Sequence, residues 1–249
     1  MREWELYESR MHIKGETKRQ EHLNRERRYQ AKKVRDSLSY YEVEIDDEAR
    51  EVAIIDTDNL NTKFIYSMPG EDIRAGGLVS WADNYWLITE RDAHTEIYTR
   101  AKMIQCNYLL RWIDPDKETH EQWCIIEDGT KYLTGEYEDH DIIVTRGDSR
   151  ISMTIARNEH TVKFDRTYRF LIDDPNSTHM LAYGLTKPLK LGGVFNGDGV
   201  YKFVLQEINT TDLDNQELRI ADYYKYFPKE THEVEPPPGG DGTGRKVWL

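Results

Sequence analysis

From Tyr40 onward, apolar and polar residues alternate with a period of two, and this alternation most restricts how the chain can fold. Side chains of a strand point alternately to opposite faces of a sheet, so the pattern predicts half-buried strands. The runs are separated by Asp, Asn, Pro and Gly, which favour turns. In the first half they are YYEVEID, REVAIID, TKFIYSM, GGLVSW, YWLITE and EIYTRAKMIQCNYLLRW. We predict that residues 40–112 form a small β-barrel.

A second series of β-rich runs follows the segment IDPDKETHEQ: WCIIED, DIIVT, RISMTIA, TVKF, TYRFLID, MLAYGLT and VYKFVLQEI. Runs spaced by about ten residues with turn signals between them are typical of sandwiches. We predict an immunoglobulin-like β-sandwich at residues 113–227. The fold class is therefore mainly β, and 249 residues suffice for two such domains.

The segment AGGLVSWADNYWLI predicts a hairpin with a Trp on each strand. With residues 82–85 as the loop, the two indoles would face each other, and the preceding pair Gly76 and Gly77 suits a bulge or tight bend. Alternating residues of a hairpin point to one face, and an apolar face is buried. The predicted barrel core residues here are Val79, Trp81, Trp86 and Ile88.

Residues 1–39 are predicted to form a helical N-terminal arm. In the segment GETKRQEHLNRERRYQAKKVRDS, Thr17 and Gln20 have capping-box spacing, and Lys and Arg collect at the C-terminal end, where the helix dipole favours cations. The apolar stripe is thin, which favours a surface helix or one that docks on a partner. The stripe consists of Leu23, Ala31, Val34 and Leu38.

Charge is distributed unevenly along the chain, whose formal net charge is −12. Residues 1–35 carry 11 Lys and Arg against 6 Asp and Glu, whereas the remainder carries 23 against 40. An acidic body does not suit nucleic-acid wrapping, because phosphate binding needs clustered Lys and Arg. The basic arm suits an acidic partner. We predict the partner interface from its basic, aromatic and apolar residues: Trp4, Tyr7, Met11, Arg25 and Arg28.

The two ends of the sequence indicate neither secretion nor membrane insertion. The start, MREWELYESR, is charged from its second residue and lacks an apolar leader segment. No run approaches the ~18 apolar residues of a membrane span. Residues 228–249 are rich in Pro and Gly without periodicity, which predicts a flexible tail.

No motif with defined catalytic or ligand-binding chemistry is recognisable. GGDGTGRK lacks the strand, helix and G-K-[ST] ending of a phosphate loop, and none of the eight histidines lies in an H-E-x-x-H frame. EYEDHD is interpreted as a solvated acidic loop, RGD as a hairpin turn, and Cys106 and Cys124 as small buried residues. We therefore expect no enzymatic activity and no catalytic, cofactor-binding or metal-binding residues.

Several blocks of the sequence resemble a family of virion proteins from tailed phages and prophages of Gram-positive bacteria. The blocks are AGGLVSWADNYWLI, IYTRAKMIQCNYLLRW, QWCIIEDGTKYLTG, RFLID, DNQELRIADYY and RMHIKGETKRQ. The resemblance implies a head-closure or adaptor-type head–tail connector that supplies no catalytic residues. Such proteins form a ring, commonly twelvefold, between the portal or adaptor and the tail-terminator or first tail component. It also implies that DNA passes through the ring without sequence-specific binding, and that the protein is assembled in the host cytoplasm into the virion.

Two alternatives remain open at the sequence level. The protein could be another virion component, from the collar, tail or baseplate. It could instead be a carbohydrate-binding or hydrolytic β-sandwich module, because glycosidases need a pair of carboxylates and this acidic chain offers many. Exposure of Trp81 and Trp86 in a concave groove would favour the second alternative.

Overall fold

A computed structural model describes residues 17–128, 150–174, 176–188, 190 and 193–228. Strands dominate these residues, which confirms the mainly β fold class. The helices are α1 Lys18–Arg35, a 3₁₀ turn at Thr161–Lys163 and the short α2 Tyr223–Tyr226. The first six strands are β1 Tyr40–Ile45, β2 Glu48–Asp56, β3 Thr62–Ser67, β4 Leu78–Trp81, β5 Asn84–Arg91 and β6 Arg100–Gln105. The others are β7 Tyr108–Ile113, β8 Thr119–Asp128, β9 Arg150–Ala156, β10 Arg169–Ile172, β11 Leu181–Lys187, β12 Val194–Phe195 and β13 Asp198–Ile208.

Strands β1 to β6 form a closed antiparallel barrel in the order β1-β2-β3-β6-β5-β4. The barrel closes where β4 pairs with β1, with Ile45 opposite Val79. Inward-facing residues of all six strands fill the interior, as the period-two pattern predicts. The buried cluster comprises Val43, Ile45, Val52, Ile54, Ile65, Ile73, Val79, Trp86, Ile88, Ala101 and Met103.

The tryptophan hairpin forms with a shorter turn than predicted. Ala82 and Asp83 both have positive φ, of 52° and 57°, so a two-residue turn joins β4 to β5. Trp86 lies opposite Val79 in the strand register, so the two indoles contact diagonally, with ring centroids 5.6 Å apart. Trp86 is buried, whereas Trp81 is half-buried at the barrel rim.

Strands β7 to β13 form the second unit, in the order β10-β11-β13-β9-β8-β7 with β12 paired to β13. The two outermost strands, β7 and β10, approach each other, and the Tyr108 hydroxyl of β7 donates to the Leu171 carbonyl of β10 at 3.0 Å. One curved, barrel-like sheet thus encloses the core where the sequence suggested two packed sheets. An irregularity in the β11–β13 pairing between Leu185 and Lys187 contributes to this curvature.

The predicted strand TVKF is a 3₁₀ turn, which is a correction of the sequence interpretation. The side-chain oxygen of Asn158 accepts the backbone N–H groups of His160 and Thr161 at 3.0 and 2.7 Å. The Thr161 hydroxyl donates to the Ala156 carbonyl at 2.9 Å. These local bonds compete with strand pairing, and they direct Phe164 into the core, where it is fully buried.

The two sheets divide at Cys106 and Asn107, inside a run that the sequence presented as continuous. The Asn107 side chain donates to the Ile126 carbonyl at 2.7 Å and accepts its N–H at 2.8 Å, so it substitutes for a backbone pairing partner. Strand β7 therefore begins a new sheet, although the sequence grouped it with the barrel.

The barrel and the second sheet meet across a small apolar junction. The ring of Tyr85 from the barrel stacks on Trp123 of β8, with centroids 4.7 Å apart. Gly76 approaches the second sheet closely, because a Cβ built on it would lie 2.3 Å from the carbonyl oxygen of Gly199. The buried residues of the junction are Leu87, Cys106, Ile125, Ala156 and Val200.

Several predictions fall outside the described residues. They are the interface residues Trp4, Tyr7 and Met11, the strand DIIVT, the EYEDHD and RGD segments, and all but the first residue of the tail. Within the described segments, no helix combines the length and apolar character needed to cross a bilayer.

Candidate functional site

Helix α1 lies on the barrel through its charged side chains. The Thr17 hydroxyl caps the helix by accepting the Gln20 N–H at 3.2 Å, as predicted. Arg27 donates twice to the Glu96 carbonyl, at 3.1 and 2.6 Å. Near the other end, Arg35 pairs with Glu51 at 2.6 Å, and its hydrogen bond lowers the pKa of that carboxyl.

Apolar burial contributes little to this docking. The inward-facing residues Leu23, Ala31 and Val34 are only half-buried, and no residue of α1 is fully buried. Leu38, predicted to belong to the same stripe, is exposed beyond the end of the helix. Charge and hydrogen bonding therefore hold α1 in place, and its opposite face remains available to a partner.

The opposite face of α1 is positively charged and includes the predicted interface residues Arg25 and Arg28. Residues spaced by three, four and seven lie on one side of a helix. Tyr29, on this side, is 62% exposed. We call this surface the basic outer face; it consists of Lys18, Arg25, Arg28, Tyr29 and Lys32, all exposed, and the exposed Glu21 lies among them.

A buried carboxylate, Asp114, organises a polar cluster at the turn between β7 and β8. The turn is tight: Asp114 N–H donates to the Glu118 carbonyl at 2.9 Å, and Lys117 has a φ of 65°. The Asp114 side chain is 1% exposed and accepts the Trp112 Nε1–H and the Tyr168 hydroxyl, both at 3.2 Å, on Oδ1. Burial alone would raise the pKa of Asp114, but hydrogen bonds and nearby positive charge outweigh burial and lower it.

Two histidines and a lysine surround the other oxygen of this carboxylate. Asp114 Oδ2 lies 3.1 Å from Lys163 Nζ, 3.3 Å from His120 Nε2 and 3.6 Å from His160 Nδ1. The two imidazole rings stack, with centroids 4.0 Å apart. One ligand atom from each of Asp114, His120 and His160 lies within 4.8 Å of the other two, which is a geometry that could hold a metal ion.

Sequence reasoning did not single out these three residues. His120 is directly opposite Trp112 in the β7–β8 register, and His160 comes from the turn after β9. Strand pairing, rather than a local motif, brings them to Asp114. One signal in the sequence was the segment IDPDKETHEQ between two β-rich runs, because a turn there brings residues near 114 and 120 close together.

The two cysteines are buried, and their thiols are free. Cys124 lies opposite Tyr108 in the β7–β8 register, so it is offset from Cys106. Burial raises the pKa of the Cys106 thiol to about 12, and it raises that of Cys124 as well. Neither thiol is activated, in agreement with their interpretation as small buried residues.

The tryptophan hairpin does not form an exposed aromatic groove. Trp81 contacts Tyr41 edge-on, with centroids 5.2 Å apart, and Trp86 is inside the barrel. A depression of about 560 Å³ on the barrel is lined mainly by polar and charged residues, among them Thr57, Glu90 and Arg100. The condition that would favour a carbohydrate-binding module is not met by these two tryptophans.

Comparison with known proteins gives one match. Residues 6–105 match the family model described as the YomX N-terminal domain, which covers less than half of the 249 residues. Searches among curated proteins and among solved structures found no match for the chain. YomX is a phage-type, prophage protein name, so this similarity is consistent with a phage protein.

Proposed function

We propose that the protein is a structural virion component that joins the head and tail of a phage, as one subunit of a ring around the DNA channel. The observation that carries this proposal is the extent of the family match. The match includes α1 and ends at Gln105, the last residue of β6. The phage-type similarity therefore coincides with one structural unit, the arm and its closed barrel.

The shape of the barrel supports contacts through helices and loops. A closed barrel has no free strand edge, so neighbouring subunits cannot extend its sheet. Copies in a closed ring would contact each other through two different surfaces. The basic outer face of α1 is the surface best suited to this role, because few of its side chains have partners among the residues that the structure describes.

Charge supplies the complementary surface. Residues 36–249 carry an excess of 17 acidic groups. The basic outer face of one copy would be attracted to the acidic body of a neighbour or of the portal. An acidic lining would also let DNA slide, because positive walls bind phosphate strongly.

The experiment combines the purified full-length protein with its portal protein and examines the mixture by negative-stain electron microscopy. We expect rings on the portal. The double variant Arg25→Glu/Arg28→Glu should abolish them while the protein remains folded by circular dichroism. A matched control reverses two exposed lysines of the second sheet, Lys187→Glu/Lys202→Glu, and should keep the rings.

Labelled antibodies on intact virions give the second measurement. Label at the junction of head and tail supports the proposal. Label at the collar periphery, along the tail or at the baseplate would support the alternative virion role. A protein absent from purified virions would refute both.

A further inference from the structure

We propose that Asp114, His120 and His160 bind a divalent transition-metal ion, with Zn²⁺ as the best-suited ion. This inference concerns the second sheet and goes beyond the proposed role in head–tail joining. The donor set of two imidazoles and one carboxylate suits Zn²⁺, which binds nitrogen and oxygen ligands tetrahedrally.

The two distances from Asp114 Oδ2 to the imidazole nitrogens are close to those of a tetrahedral site. Zn²⁺ lies about 2.0–2.1 Å from nitrogen and oxygen ligands, which places neighbouring ligand atoms about 3.3 Å apart. In the structure, His120 Nε2 and His160 Nδ1 lie 3.3 and 3.6 Å from Asp114 Oδ2. All three ligand atoms lie within 4.8 Å of one another, so side-chain adjustment would bring them onto one ion.

Both imidazole nitrogens lack other partners. Among the described residues, His120 Nε2 and His160 Nδ1 are buried atoms without a hydrogen bond. Buried polar atoms are nearly always satisfied, so two orphans aimed at one carboxylate oxygen require an explanation. The two rings stack with centroids 4.0 Å apart, and an ion bound by both nitrogens would use both of their lone pairs.

Neighbouring side chains orient the carboxylate of Asp114. Trp112 and Tyr168 hold Asp114 Oδ1, which directs Oδ2 toward the histidines. The second nitrogen of His160 lies 3.4 Å from the carboxylate of Glu159, the type of group that orients metal-ligating histidines.

Lys163 is the competing cation at this position, and the structure provides it with another partner. Its Nζ lies 3.1 Å from Asp114 Oδ2 and also 3.1 Å from Asp116 Oδ2. On ion binding, Lys163 keeps Asp116 and releases Asp114. The carboxylates of Asp114, Asp116 and Glu159 outnumber the single lysine, so the site retains negative charge for a divalent cation.

The site lies near the surface and leaves one coordination position open. The His160 side chain is 29% exposed, which places one edge of the site at the protein surface. Three protein ligands leave the fourth position to water or to a ligand from a partner protein. Because the ligands come from three segments, the ion would cross-link the β7–β8 hairpin to the turn after β9.

The test is calorimetric titration of the EDTA-treated, dialysed full-length protein with ZnCl₂. We expect one saturable site per chain. At a Zn²⁺ concentration about 100 times Kd, linkage predicts a ~100-fold rise in the folded-to-unfolded ratio, or a Tm higher by roughly 5–10 °C. Co²⁺ in place of Zn²⁺ should give the visible absorption of a tetrahedral site.

The variants His120→Gln and His160→Gln should each weaken Zn²⁺ binding at least about 10-fold. The exposed His179 supplies the matched control, and His179→Gln should bind as the wild type does. Circular dichroism without metal checks the fold of each variant, and His160→Gln, at the more exposed position, keeps the test valid if His120→Gln does not fold. Binding that is absent from the wild type, or equal in wild type and His160→Gln, overturns the proposal.

Discussion

Substituting Gly76 by Ala tests whether the barrel and the second sheet are joined by direct backbone contact. Gly76 has a φ of +86°, and a Cβ on it would lie 2.3 Å from the carbonyl oxygen of Gly199. Gly199 has little room to move away from Gly76. A Cβ built on Gly199 would lie 2.0 Å from the Gly193 carbonyl oxygen, and the Arg157 N–H donates to the Gly199 carbonyl oxygen at 3.0 Å. The added methyl therefore meets backbone that is constrained from the other side.

The expected loss in the free energy of unfolding of Gly76→Ala has two contributions, which a control variant can separate. A left-handed conformation costs a non-glycine residue about 1–2 kcal/mol, and overpacking adds about 1–3 kcal/mol. Gly76→Ala should therefore lower the free energy of unfolding by about 2–5 kcal/mol. Gly70 is the matched control, because its φ is +93° and nothing lies within 4 Å of its built Cβ. Gly70→Ala should lower the free energy of unfolding only by the backbone contribution, about 1–2 kcal/mol.

Guanidinium unfolding followed by circular dichroism and tryptophan fluorescence measures both variants. In Gly76→Ala we also expect faster hydrogen exchange at the junction, because Tyr85 and Trp123 lose their fixed spacing. Equal destabilisation by the two substitutions would refute the argument, since it would mean that the close approach to Gly199 does not occur in solution.

Three further predictions concern individual interactions. Arg169→Met should lower the free energy of unfolding by about 3–5 kcal/mol, measured by urea unfolding, because the buried Asp214 side chain, 1% exposed, loses its bidentate partner. Trp86→Ala should cost about 3–5 kcal/mol in the same assay and reduce the near-ultraviolet circular dichroism, because it opens a cavity in the barrel core. For Asp72, burial would raise the pKa, but hydrogen bonds from Thr99 and Arg91 outweigh it, so the folded-state pKa is lowered. Its stabilising effect is thus present above the unfolded-state pKa of about 3.9 and is lost as pH falls through the folded value. The difference between the urea midpoints of wild type and Asp72→Asn should shrink from pH 7 to pH 3.

Local pattern was sufficient to predict the barrel strands and helix α1. Alternation and turn residues placed the six barrel strands, and capping-box spacing placed the start of α1 at Thr17, where the hydroxyl does cap the helix. These features depend on residues that are close together in the sequence, so they can be recognised from the sequence alone. The predicted core residues Val79, Trp86 and Ile88 are buried for the same reason, because side chains alternate regularly along a strand.

Features that depend on distant contacts were not predictable. The division between sheets at Asn107 depends on a side chain bonding to Ile126, nineteen residues away. The 3₁₀ turn at Thr161 depends on Asn158 competing for backbone groups that β-branched residues would otherwise place in a strand. The histidine cluster has the same origin, because β pairing brings His120 to the Asp114 turn and no local motif marks it.

The junction and the histidine cluster share one segment of chain, so the two units are mechanically connected. Ala156 packs in the junction, and the next residue, Arg157, donates to the Gly199 carbonyl that Gly76 approaches. His160 follows four residues after Ala156. Asn158 orders the intervening turn by accepting the His160 N–H, and the His160 ring lies beside Asp114. An ion at the cluster would restrain this segment at one end while the barrel restrains it at the other. The Gly76→Ala variant should therefore bind Zn²⁺ more weakly than Gly70→Ala, because displacing Gly199 shifts the segment that carries His160.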